Sequence, residues 1–126
     1  VGLTAWGPTL ADALAEAIRG TAAVTFDLHR IRPRQTRDVA AAGASDAGRL
    51  LVALLDEVLY LVETEGFVPV RAEVTLAAGT ARARLTGDVF DPARHRRAGP
   101  QVKGITYHGL QIHAGPPARV RLILDI

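Results

Sequence analysis

The stretch "LLVALLDEVLYLV", residues 50–62, decides the fold. Leu50, Leu51, Leu54, Leu55, Val58, Leu59, Leu61 and Val62 cover nearly the whole circumference of a helix. Asp56 and Tyr60, with Glu63 just beyond, leave a single polar stripe. A helix with so little polar surface belongs inside a fold. Asp56 and Glu57 interrupt the run and make it too short and too charged to span a bilayer. The segment "GASD" before it offers Ser45 or Asp46 as a cap, and Gly66 supplies a left-handed stop. The helix is therefore expected over about 46–65.

Toward the N-terminus, "VGLTAW" (1–6) reads as a short strand. Thr9 can cap a helix, with Asp12 three residues later. Leu10, Ala13, Leu14, Ala17 and Ile18 recur at helical spacing, giving a second, amphipathic helix to about Val24. Residues 27–34 form a loop stopped at Pro33, and "QTRDVAA" (35–41) is a weak strand. Beyond the central helix the pattern turns to β. Val70–Leu76 and Ala81–Val89 alternate around "AAGT", a hairpin turn carried by Gly79. "DPARHRRAGPQ" (91–101) is a basic loop, and Val102–His113 and Ala118–Ile126 form a last pair.

A three-residue Gly115-Pro116-Pro117 loop sets the register of that pair. Leu110 and Ile112 then share a face with Val120, Leu122 and Leu124, while Gln111, His113, Arg119 and Arg121 point the other way. The same register sets Asp125 beside Tyr107 and leaves Lys103 roughly 13 Å along the strand, unless Gly104 bends it. The order β-α-β-α followed by two hairpins predicts an α+β fold: a largely antiparallel sheet packed against a buried central helix and a second amphipathic helix. The 126 residues are expected to form one domain, 1–126.

Composition excludes several chemistries. With no cysteine there is no disulfide frame and no thiolate site. The only serine, Ser45, sits in a capping context, which argues against a serine hydrolase. The four histidines lack metal-ligand spacing on a helix. No phosphate-cradling glycine loop or zinc-protease motif is present. The net charge is +2, and its basic residues cluster in "HRIRPRQTR" (29–37) and "RHRR" (94–97). Such clusters suit an acidic partner or nucleic acid, although no aromatic residues interleave with them. A solvated arginine-rich surface is the plainer reading. At the C-terminal end, Asp125 and Ile126 bring hard oxygen atoms that suit calcium or magnesium, although on the residues alone an exposed, frayed strand end is the plainer reading. Lys103 is the only lysine among 15 cationic residues, a compact charge suited to phosphate or carboxylate.

Five stretches taken together resemble the archease family. They are "VGLTAWGPTLADALAEA" (1–17), "TFDLHRIRP" (25–33), "LLDEVLYLVETEGFVPVR" (54–71), "DPARHRRAGPQVKGITYHGL" (91–110) and "LILDI" (122–126). The resemblance implies a small non-catalytic cytoplasmic protein that assists an RtcB-type RNA ligase in tRNA splicing and RNA repair. It implies that the ligase uses GTP and a divalent metal and guanylylates its own histidine. The family member would promote that step, restore turnover and broaden nucleotide use. Tracing motif to motif, Asp125 and Ile126 correspond to metal ligands, and Lys103 and Asp125 to residues needed for activation. Thr106 and Tyr107 would hold the strand beside Asp125, and Asp27 and His108 are softer candidates near the same end. The family pattern also carries an H-[ST]-A-D segment directly before the position of Val1, whose aspartate is a further metal ligand. That segment, like an initiating methionine, is expected to precede Val1 in the natural protein. An RNA-binding or chaperone-like module using the arginine patches is the alternative.

Overall fold

The computed structural model describes residues 1–43 and 46–126. Eight elements run in the order β1 (Gly2–Gly7), α1 (Leu10–Thr25), β2 (Gln35–Ala42), α2 (Ala47–Glu65), β3 (Phe67–Ala77), β4 (Thr80–Val89), β5 (Gly104–His113) and β6 (Ala118–Asp125). A 3₁₀ turn, Leu28–Arg30, follows α1. The expected α+β architecture is present, with the antiparallel strands divided between two three-stranded sheets, β1-β6-β5 and β2-β4-β3. Both helices touch both sheets: α1 packs on β1, β6 and β3, and α2 on β5, β2 and β4.

The helix boundaries follow from their caps. Thr9 Oγ1 accepts the Asp12 N–H at 3.2 Å, and Asp12 Oδ2 accepts the Thr9 N–H at 3.3 Å, which closes a capping box. Asp46 caps α2 by accepting the Gly48 N–H at 2.8 Å. The other proposed cap, Ser45, lies outside the described residues. Gly66 ends α2 at φ 68°, a left-handed conformation that a side chain would strain.

The central helix is buried less evenly than its sequence suggests. Leu50, Leu51, Leu54, Leu55 and Val58 are buried, but Leu59, Leu61 and Val62 are only half-buried. Leu59 and Leu61 pack at the margin of the main core, Val62 joins a second, smaller apolar cluster, and Leu59 and Val62 border a cavity at the end of α2.

Three strands exceed their expected extents, β4 by Thr80 alone. β2 pairs with β4 over its full length, from Gln35↔Gly87 to Ala42↔Thr80. Alanine and charged residues have weak strand preference, so pairing with β4 rather than propensity makes this strand. β3 begins at Phe67 and runs through Pro69, where the register with β4 shifts. Proline is tolerated there because β3 is an outer strand and Pro69 sits at the irregularity.

The last hairpin corrects the sequence reading. Near the turn the pairs are His113↔Arg119, Ile112↔Val120 and Gln111↔Arg121, as the three-residue loop requires. Beyond an irregularity between Thr106 and Gln111 they become Thr106↔Ile123, Ile105↔Leu124 and Gly104↔Asp125. Residues Tyr107, His108, Gly109 and Leu110 thus face the single residue Leu122, three more than a regular ladder holds. Gly109 absorbs the excess with φ 78°. Asp125 therefore pairs with Gly104, not Tyr107.

Candidate functional site

The bulge in β5 determines what surrounds Asp125. By drawing in three residues, it shifts Lys103 to the end of β6, where the Lys103 N–H donates to the Asp125 carbonyl at 2.7 Å. The separation of roughly 13 Å expected from a regular ladder does not occur. Lys103 and Asp125 are backbone neighbours with exposed side chains, and they form no ion pair among the described residues. Each remains free to meet a charge from outside.

The start of β1 flanks the same corner. Leu124 donates its N–H to the Val1 carbonyl at 2.7 Å, and the Val1 ammonium donates to the Leu124 carbonyl at 3.0 Å. Gly2↔Ile123 continues the ladder inward. Below it the face is apolar, with Val120, Leu122 and Leu124 buried. The corner is thus an exposed polar end on a rigid hydrophobic base, with Ile126 half exposed at its tip.

The other candidates have local partners of their own. Tyr107 is on the bulge and lines an open groove with Asp46, Gly48 and Arg49 at the start of α2. It does not hold the strand beside Asp125. Thr106 pairs with Ile123, and its Oγ1 accepts the N–H of exposed His108 at 3.1 Å. Asp27 caps the 3₁₀ turn: Oδ1 accepts the His29 N–H at 3.2 Å, and Oδ2 lies 3.6 Å from Arg30 Nε. The structure brings Lys103, Asp125 and Ile126 together at the end of β6, while Asp27 sits on the 3₁₀ turn and His108 on the β5 bulge.

Metal binding needs several oxygen donors around one point. Asp125 and Ile126 contribute hard donors, but among the described residues no group of three His, Asp or Glu side chains is placed to hold an ion. The corner on its own is a partial site.

A cavity of about 280 Å³ lies beside the corner. Phe26, Val58, Leu59, Val62 and Phe90 contribute apolar wall, and Glu63, Arg97, Gln101 and Lys103 contribute polar atoms. Sequence reading missed this cavity and the bulge. A glycine in a strand pattern, Gly109, was a local sign of the second.

Comparison with known proteins gives this arrangement a lineage. The Archease protein family (MTH1598/TM1083) matches residues 1–126. The chain belongs to the archease family. "Protein archease" of Thermococcus gammatolerans is 32% identical over 123 residues, covering 94% of this chain and 85% of that protein. Its counterpart in Pyrococcus furiosus is 30% identical over 132 residues, covering 100% and 92%. The fold is shared with the solution structure of Methanobacterium thermoautotrophicum protein 1598, at TM-score 0.78 and 23% identity over 99% of this chain and 91% of that one. It is shared too with the crystal structure of a Thermotoga maritima archease described as a "possible chaperone", at TM-score 0.67 and 12% identity over 100% and 90%. Among the described residues, no helix of this archease is long and apolar enough to cross a membrane.

Proposed function

We propose that this archease activates an RtcB-type RNA ligase by docking its C-terminal corner at the ligase active site, without making or breaking bonds itself. The observation that carries the reading is the backbone link between Lys103 and Asp125, two exposed residues of opposite charge that form no ion pair among the described residues. Lys103 would meet a phosphate or carboxylate of the ligase–nucleotide complex. Asp125 and an oxygen of Ile126 would take a calcium or magnesium ion. The Val1–Leu124 pairing supports a further ligand, because a residue directly before Val1 would fall across from Asp125. In the family pattern that residue is an aspartate. A second carboxylate facing the first would be costly without a cation between them, and an ion relieves that cost. The "possible chaperone" description of the Thermotoga maritima protein is compatible with action through a protein partner, and the setting proposed for this chain is tRNA splicing and RNA repair.

A guanylylation time course of the cognate ligase, with GTP and metal, tests the proposal. The full-length protein should accelerate formation of the ligase–GMP adduct and permit repeated turnover. Lys103→Ala and Asp125→Ala should each abolish that gain while folding normally. An adduct rate that is the same with and without the wild-type protein would refute it.

A further inference from the structure

The fold joins two arginine-rich segments that lie far apart in the chain. At one end, the Asp27 N–H donates to the Arg96 carbonyl at 2.9 Å, Phe26 and Arg97 form an antiparallel bridge, and the Ala98 N–H donates to the Thr25 carbonyl at 2.7 Å. At the other end, the Arg34 N–H donates to the Gly87 carbonyl at 2.8 Å. The next residue, Asp88, is buried. Its Oδ1 accepts Gln35 Nε2 at 3.1 Å and the Val89 N–H at 2.9 Å. Its Oδ2 has no hydrogen-bond partner and lies 3.6 Å from Arg94 Nη2. Residues 27–34 are thus held against 88–97 at both ends.

The joined surface carries six arginines and three aspartates, a net of +3 against +2 for the whole chain. Arg30 and Arg94 are occupied by Asp27, Asp88 and Asp91. Arg32, Arg34, Arg96 and Arg97 are exposed and pair with no carboxylate among the described residues. Arg97 lies over the Phe26 and Phe90 rings at 5.5 and 5.2 Å, which fixes its position and keeps its charge. Holding four like charges together is unfavourable, and a polyanion reverses the sign of that term. A protein interface would need an apolar centre. The exposed large apolar residues, Val1, Trp6, Tyr60, Tyr107 and Ile126, all lie outside these two segments. Within these two segments only the His29 imidazole is an exposed ring, too few for stacking successive bases.

We propose that this surface binds the phosphodiester backbone of RNA, without reading its sequence. The choice of RNA rather than DNA rests on the ligase reading. The phosphate chemistry does not. Each guanidinium can grip a phosphate through two N–H groups.

The test is anisotropy of a fluorescent single-stranded RNA titrated with the protein alone. Four phosphate contacts predict a loss of affinity of about 50-fold between 50 and 200 mM salt. The triple variant Arg32→Gln/Arg34→Gln/Arg96→Gln, leaving one contact, should lose only about threefold over the same range. It should also bind more weakly at the lower salt. These side chains make no described hydrogen bond, and circular dichroism should show an unchanged fold. Arg49→Gln/Arg82→Gln/Arg121→Gln removes equal charge from the remaining surface and should leave binding within about twofold of wild type if the site is local. Three results overturn the proposal: no binding at 50 mM salt, equal weakening by both triple variants, or displacement of the RNA by polyglutamate as readily as by unlabelled RNA. The last would point to an acidic protein partner. Because no ligase is present, failure to activate guanylylation would leave this result standing, and the reverse holds too.

Discussion

The two hairpins are built alike and used differently. In β3–β4, Ala77↔Thr80 closes a two-residue turn at Gly79, and the ladder runs to Arg71↔Thr86 before the register slips by one residue at Pro69. In β5–β6, the slip is three residues and falls in mid-strand. The first hairpin packs Ala81, Ala83 and Leu85 into the core. The second also buries one face, but its irregularity brings Lys103 to Asp125. A regular ladder serves packing, whereas a bulge redirects the residues beyond it. Here it unites a cation and a carboxylate that period-two spacing would separate.

Four measurements probe that contrast. Leu85→Ala, on the regular hairpin, should cost about 2–5 kcal/mol in denaturant unfolding, because it empties a fully buried site. A loss below about 1 kcal/mol would deny this hairpin its structural role. Gly109→Ala, on the bulge, should cost about 1–2 kcal/mol, since the left-handed backbone disfavours a Cβ. The new atom would also sit 3.1 Å from Ile123 Cγ1. Ligase activation should fall more steeply than stability, and a variant that activates normally would detach the bulge from the site.

Lys103→Ala and Asp125→Ala come next, with stability changes within about 0.5 kcal/mol, because both side chains are exposed. Large destabilisation by either would mean that the corner is structural. The smallest effect concerns the connection between the hairpins. The hydrogen bond from Arg94, then that from the Ala93 N–H, holds the Asp91 carboxyl below the usual carboxylate range. Its folded pKa is lower than its unfolded one. Its stabilisation is therefore present above the unfolded value and lost as pH falls through the folded value. Amide exchange at Ala93, corrected for intrinsic rates, should quicken locally in acid before the β4 amides respond. Simultaneous release of both would show that the loop has no separate anchor.

Sequence reading succeeded where a residue's chemistry reports its own position. The α1 capping box, the face shared by Ile112, Val120, Leu122 and Leu124, and the Gly79 turn all carry such markers. It failed at Tyr107–Leu110 because three of those four residues are exposed. The odd slip turns Ile105 onto the buried face, out of phase with Leu110 and Ile112, and that single phase change is a faint mark in the alternation. Division into two sheets was also hidden, since β1 finds β6 from the opposite end of the chain. The identities of Lys103 and Asp125 were legible. Their adjacency was not, because it depends on the backbone of a glycine several residues away.

The bulge has one more effect, through its place on the outer strand of its sheet. An open border of unpaired N–H and C=O groups invites another chain to add a strand and start an aggregate. Surplus residues at Tyr107–Leu110 break the even spacing that such an intruder would need, so the same distortion that assembles the corner guards the protein's solubility.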